Sequence, residues 1–221
     1  LSTARNTKPN LSALTAIPLI AILGEVFIRG YEQFTWTFFT EPTPTAYKAM
    51  KAVNEGQPIP GGIANGIIGT MIILFMASAV AIPLGILCGA YIAENNKKRF
   101  AQFVSYLTDL LQGTPSVIIG IITYIWIVVP MKGYSAIAGS VALCIMMLPL
   151  IIRSTEETLR ILPSSLKEAG LALGANKARV MLKVPLPSAF GGIFTGILLA
   201  ISRVIGETAP LMFTALGCSF I

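Results

Sequence analysis

Long apolar runs alternate along the chain with short charged or Pro- and Gly-rich breaks. A helix needs about 20 mostly apolar residues to cross ~30 Å of hydrocarbon. Five segments approach that length. Leu11–Ile28 is short and carries Glu25 near its end; Ile67–Ile92 contains Pro83, where a kink is expected. Phe103–Val129 holds Asp109 and Pro115 in its first half, and Tyr134–Ile152 and Ser188–Ile205 follow. Eleven residues remain from Leu211 to Ile221, too few for another crossing. Gly85/Gly89 and Gly192/Gly196 recur at four-residue spacing, which lets helices approach closely. The pattern predicts an all-α integral membrane bundle, with residues 1–221 forming a single transmembrane domain.

Composition agrees. The chain of 221 residues is 54% hydrophobic and only 12% charged, against roughly 25% charged in soluble domains. It has no histidine, so imidazole catalysis and histidine metal ligation are excluded. Cys88, Cys144 and Cys218 are scattered in apolar segments without a C-x-x-C pair. They read as buried thiols, not as a metal site or disulfide framework.

The net charge of +6 acquires meaning through its distribution. With the N-terminus placed in the cytoplasm, eleven cations fall on inside loops: Arg5, Lys8, Lys97, Lys98, Arg99, Arg153, Arg160, Lys167, Lys177, Arg179 and Lys183. Four fall outside: Arg29, Lys48, Lys51 and Lys132. The positive-inside rule selects this orientation. Residues 29–62, rich in Pro, Thr and Gly, become an extracytoplasmic loop with a short helix near Ala46–Val53. Residues 153–187 become a cytoplasmic loop.

That cytoplasmic loop is patterned. Leu166, Ala169, Leu173, Val180, Met181 and Val184 fall at helical spacing. Ser164 or Ser165 can cap a first helix, with Glu168 in its first turn; Gly174 breaks it; Asn176 can cap a second helix that stops before Pro185. A helix–turn–helix between two crossings is not a DNA reader, so no nucleic acid is expected. A lipid-surface helix pair and a docking element for a soluble partner both fit the pattern.

The stretch "EAGLALGANKARVMLKVPLP", Glu168 to Pro187, resembles the EAA loop of ATP-binding-cassette importer permeases: Glu-Ala-Ala, three residues, Gly, nine residues, Ile-x-Leu-Pro. Gly170 replaces the third small residue and Val184 the isoleucine. "PLGILCGAYIAE", "GTPSVIIG", "LPLIIRSTEETLRILPSSLKEAGLALGA" and "GGIFTGILLAISRVIGETAPLMFTA" are similar to the phosphate-importer permeases of the PstA type, over nearly the whole chain. The resemblance implies a type I ABC importer permease bundle of six helices, five visible here and a sixth beyond Ile221. It implies a subunit that does no covalent chemistry and moves phosphate inward by alternating access. Glu168, Ala169, Gly170, Gly174 and Ala175 would couple to the ATPase. No G-x-x-x-x-G-K-[ST] loop occurs in the chain, so ATP and magnesium would be bound by two separate ATPase subunits, and no cofactor or metal is expected here. A second permease of the PstC type and a periplasmic phosphate-binding protein would complete the assembly in a bacterial or archaeal inner membrane. A permease for molybdate or sulfate, or a secondary anion transporter, is the alternative.

Candidate residues for the anion stand out physically. After fifteen uncharged residues, Ser188 to Ser202, come Arg203 and Glu207, four apart. An unpaired arginine deep in a bilayer costs about 2.5–3.5 kcal/mol on insertion scales, so it should face a partner or a watery path. Its planar fork suits phosphate, and Glu207 one turn later could pair with it. Gly206 and Pro210 suggest that the helix ends or bends there. Arg153, after "LPLII", is explained either by snorkelling to headgroups or as a cytoplasmic exit site for the anion. Asp109 is expected to have a hydrogen-bonding role.

Overall fold

The computed structural model describes residues 8–31, 34–57 and 59–215, and these are helical and irregular, with no strand among them. Arg5 and Cys218 lie outside the described residues. The described residues form two compact units, one up to Gly66 and the other from Ile67 onward.

The first unit holds α1 (Lys8–Gly30), α2 (Trp36–Thr40) and α3 (Ala46–Asn54). The short helix expected near Ala46–Val53 is α3; α2 was not expected. Residues 59–63 fold back on the end of α2: Gly62 N–H donates to Pro42 O and Ile63 N–H to Phe38 O. Gly62 presses on the Phe38 carbonyl with no room for a Cβ.

The helix α4 (Ala64–Glu94) runs unbroken across Pro83. The third apolar segment departs from expectation. It is not one straight crossing but two pieces bent by 105°, α5 (Arg99–Gly113) and a helical run over Ser116–Met131. Pro115 has no N–H to donate and pushes Thr114 into extended backbone (φ −78°, ψ 129°). The second piece comprises α6 (Ser116–Thr123), a π-helical turn (Tyr124–Val128) and α7 (Val129–Met131). Pro130 cannot donate to the carbonyl one turn back, and the ladder widens just before it.

The centre of the second unit is α8 (Ala136–Ile161). Its start is capped by Ser135, whose Oγ accepts from the Ala138 N–H at 3.1 Å. The predicted apolar segment ended at Ile152, but the helix continues nine residues beyond it. Hydropathy falls at Arg153; helical hydrogen bonding does not. The start of the proposed 153–187 loop is therefore the last part of α8.

Two helices lie on α8 through the glycine pairs seen in the sequence. Gly85 meets Ile151 and Gly89 meets the Ile152 carbonyl and Thr155, all from α4. Gly192 meets Thr158 and Gly196 meets Ser154, from α12 (Phe190–Ile205). An added Cβ at Gly85 would stand 2.6 Å from Ile151 Cγ2, so these are backbone-close contacts that a larger residue would break. The apolar core follows, with Ile73, Ala77, Ala81, Leu143, Met147, Ile151, Ala200 and Val204 buried together. Cys88 and Cys144 are free thiols, half-buried.

Between α8 and α12 come α9 (Ser164–Ala172), α10 (Lys177–Lys183) and α11 (Pro185–Ser188); α13 (Ala209–Thr214) ends the described chain. The run Lys177–Ser188 meets α12 at a 73° bend. Among the described residues, α4 and α8 are long and apolar enough to cross a membrane, the two bent pairs would bring the number to four, and α1 adds a shorter apolar stretch, Ile17–Ile28.

Candidate functional site

The residues 164–183 form the expected helical hairpin. Gly174 turns the chain with φ +76°, a left-handed conformation that glycine adopts without steric cost. Asn176 caps α10 by accepting from the Ala178 N–H at 3.4 Å. The first cap differs from expectation: Pro163 occupies it, both Ser164 and Ser165 are inside the helix, and Glu168 lies past the first turn. Across the hairpin, Gly170 faces Val180, where an added Cβ would stand 2.8 Å from Val180 Cγ1. Glu168, Ala169 and Gly174 are exposed, Gly170 and Ala175 are half-buried, and Leu173 at the turn is 88% exposed. The hairpin thus offers one free face.

On α12, Ile193, Gly196, Ala200 and Val204 are buried against α8, and Arg203 lies on the exposed side. It sits thirteen residues beyond Phe190, about 20 Å along the helix. Glu207 is half-buried. Among the described residues no ion pair joins Arg203 to Glu207, contrary to the expected i,i+4 contact. The cause is local. The helix stops at Ile205 with Gly206 as its cap, so Glu207 is off the helix whose geometry would bring the two together. Instead it lies in the three-residue link before α13, with its N–H donating to Val204 O at 3.1 Å.

Arg153 is treated in the opposite way. Its guanidinium is 22% exposed and is held by four groups. Nη1 donates to Glu156 Oε2 at 2.6 Å. Nε donates to Asp109 Oδ1 at 3.0 Å, and Nη2 also reaches that oxygen. Nη2 donates to Ser105 Oγ at 2.9 Å and to the Ser105 carbonyl at 3.1 Å. Arg160 closes the network on Glu156 Oε1 at 2.7 Å. Glu156 is only 2% exposed, and a buried carboxylate persists where partners compensate it. Snorkelling does not describe this arginine: its head is turned to α5 and to Glu156.

Asp109 makes the hydrogen bonds expected of it, though it is 60% exposed. Ser105, Glu156 and Arg160 join the network without having been singled out as candidates from the sequence. The spacing Arg153, Glu156, Arg160 was a visible signal for the part on α8. Nothing local announces the link to α5, 44 to 48 residues away.

A family model described as "Binding-protein-dependent transport system inner membrane component" matches residues 81–221. The chain is 38% identical over 203 residues to the phosphate transport system permease protein PstA of Yersinia pestis, covering 91% of this chain and 65% of that protein. It is 37% identical to the PstA protein of Haemophilus influenzae, covering 90% of this chain and 67% of that one. The chain thus spans about two thirds of the length of these curated relatives. A solved structure of the MetNI methionine ABC transporter in an inward-facing conformation overlays with a TM-score of 0.59 at 21% identity, covering 79% of this chain and 77% of that one. At that identity the likeness concerns the fold alone.

Proposed function

Because the chain belongs to the family of binding-protein-dependent transport system inner membrane components, we propose that it is the permease subunit of an ATP-binding-cassette importer that brings inorganic phosphate into the cytoplasm. The observation that carries the cargo is Arg203. It is a guanidinium at the end of an apolar helix, exposed on the face away from the core and joined to no carboxylate among the described residues. A donor fork left open in such a place suits a tetrahedral oxyanion. The names of the relatives support the same cargo.

In this reading Arg203 and Glu207 line the phosphate path, and Glu207 limits how tightly the anion is held by adding negative charge nearby. Arg153 belongs to the cytoplasmic end of the path. Its partners Glu156 and Asp109 keep it neutralised until an anion competes for it, which suits release better than capture. The hairpin α9–α10 docks on the ATPase through Glu168, Ala169 and the turn at Gly174 and Ala175, with Gly170 holding the two helices together. ATP and magnesium are bound by two ATPase subunits, a second permease of the PstC type pairs with this one, and a periplasmic protein delivers phosphate. The N-terminus and residues 153–187 lie on the cytoplasmic side, and residues 29–62 on the other.

The test is ATP-dependent uptake of labelled phosphate against sulfate by the full-length permease with its partners, comparing wild type with Arg203→Lys and Arg203→Gln. Phosphate uptake that is lost in Arg203→Gln and not matched by sulfate in the wild type supports the reading. Normal uptake in both variants overturns the role of Arg203. Stable assembly with no ATPase overturns the docking role of the hairpin.

A further inference from the structure

Apart from the groups around Arg153, the described residues of the second unit hold one ion pair that spans distant parts of the chain. Lys167 Nζ donates to Glu94 Oε2 at 2.9 Å. Glu94 is the last residue of α4, and Lys167 is in the first turn of α9. The hairpin is joined to α8 and to α12 by the chain itself. To α4 it is joined only through space. The apolar part of that contact is Met181, which packs with Ala90 and Ala93 into one cluster with Leu159, Ala189 and Ile193. The polar part is Lys167–Glu94.

This pair is a weak contributor to stability. Its side chains are 24% and 38% exposed, and such pairs contribute about 1 kcal/mol or less. Its placement is more telling than its strength. Glu94, Lys167, Leu171, Lys177, Val180, Met181 and Pro185 line one recess, and of its two lysines Lys167 is the one paired with Glu94, while the next residues, Glu168 and Ala169, are exposed. One turn on, Gly170 is in close contact with Val180. That contact makes α9 and α10 move together. A push on the exposed face of α9 therefore reaches α4 through Lys167.

We propose that Lys167–Glu94 is a positioning contact that makes α4 follow the hairpin, so that movement of a docked ATPase is delivered to α4 as well as to α8 and α12. The proposal rests on the transport reading above and adds to it the residues that couple a third helix.

The experiment uses the full-length permease assembled with its partners in vesicles, with inorganic phosphate as the cargo. It reads phosphate taken up per ATP hydrolysed, and the amount of ATPase retained on purification. Glu94→Lys and Lys167→Glu should each lower uptake per ATP by about tenfold, within the range of ordinary coupling energies. The double variant Glu94→Lys/Lys167→Glu, which restores an ion pair in reverse, should recover to within about threefold of wild type. ATPase retention should not change in any of them. Wild-type stoichiometry in the single variants, or a double variant no better than either, overturns the proposal. So does loss of the ATPase from Lys167→Glu alone, which would make Lys167 a contact of the partner. A wild-type complex that moves no phosphate on ATP hydrolysis defeats the transport reading itself, and does so before any variant is compared.

Discussion

Arg153 and Arg203 sit on helices that lie against each other, α8 and α12, and both interrupt apolar sequence. Arg153 is surrounded: two carboxylates, a hydroxyl and a carbonyl accept from it, and Glu156 beneath it is shared with Arg160. Arg203 is left open at the end of its helix, with Glu207, four residues on, carried off that helix by the break at Gly206. The difference separates two uses of the same side chain. A guanidinium whose donors are already occupied holds helices together and gives up a partner only to a strong competitor. One with free donors is available to a ligand.

Four substitutions would break or sharpen that contrast. The largest effect is expected from Glu156→Ala, which removes the carboxylate shared by Arg153, still held by Asp109 and Ser105, and the half-exposed Arg160. A loss of about 1–3 kcal/mol is expected, read as a lowered thermal unfolding midpoint in detergent. Next, Arg203→Gln should lower phosphate uptake by about tenfold or more, equivalent to about 1.4 kcal/mol. Its unfolding midpoint should stay at the wild-type value, because no interaction within the fold is lost. A lowered midpoint would mean that Arg203 is structural after all. Asp109→Asn removes the exposed half of the Arg153 network and should cost about 1 kcal/mol, seen as a modest fall in the same midpoint and faster hydrogen exchange in α5. Glu207→Gln should change stability by no more than about 0.5 kcal/mol. Its effect should appear in uptake kinetics, with tighter retention of phosphate and slower turnover.

The sequence made the local features legible and left the long-range ones dark. The hairpin at 164–183 could be read because its signals are short: a glycine that must turn, an asparagine that must cap, a proline that must stop a helix. The glycine pairs at 85/89 and 192/196 could be read as close-approach faces for a similar reason, although nothing in them names α8 as the common partner. The bend of 105° at Thr114–Pro115 was marked in the sequence by the proline alone, because hydropathy carries no direction. The end of α8 was misjudged by nine residues because apolarity was taken as the measure of the helix. The Arg203–Glu207 contact failed on one residue, Gly206, which ends the helix before the spacing can matter. The Asp109–Arg153 contact joins elements 44 residues apart, and only the fold brings them together.

The continuity of α8 has a mechanical consequence. Its 26 residues make a rod of about 39 Å, at 1.5 Å per residue. A hydrocarbon layer takes about 30 Å of that, leaving an overhang of about two turns at one end. The hairpin hangs from the end that carries Arg153, Glu156 and Arg160. For a lever of this length pivoting at its Ala136 end, a tilt of about 10° sweeps the tip through about 7 Å, more than one helical pitch of 5.4 Å. A small rotation inside the bilayer therefore becomes a stroke of whole-turn size where the hairpin begins.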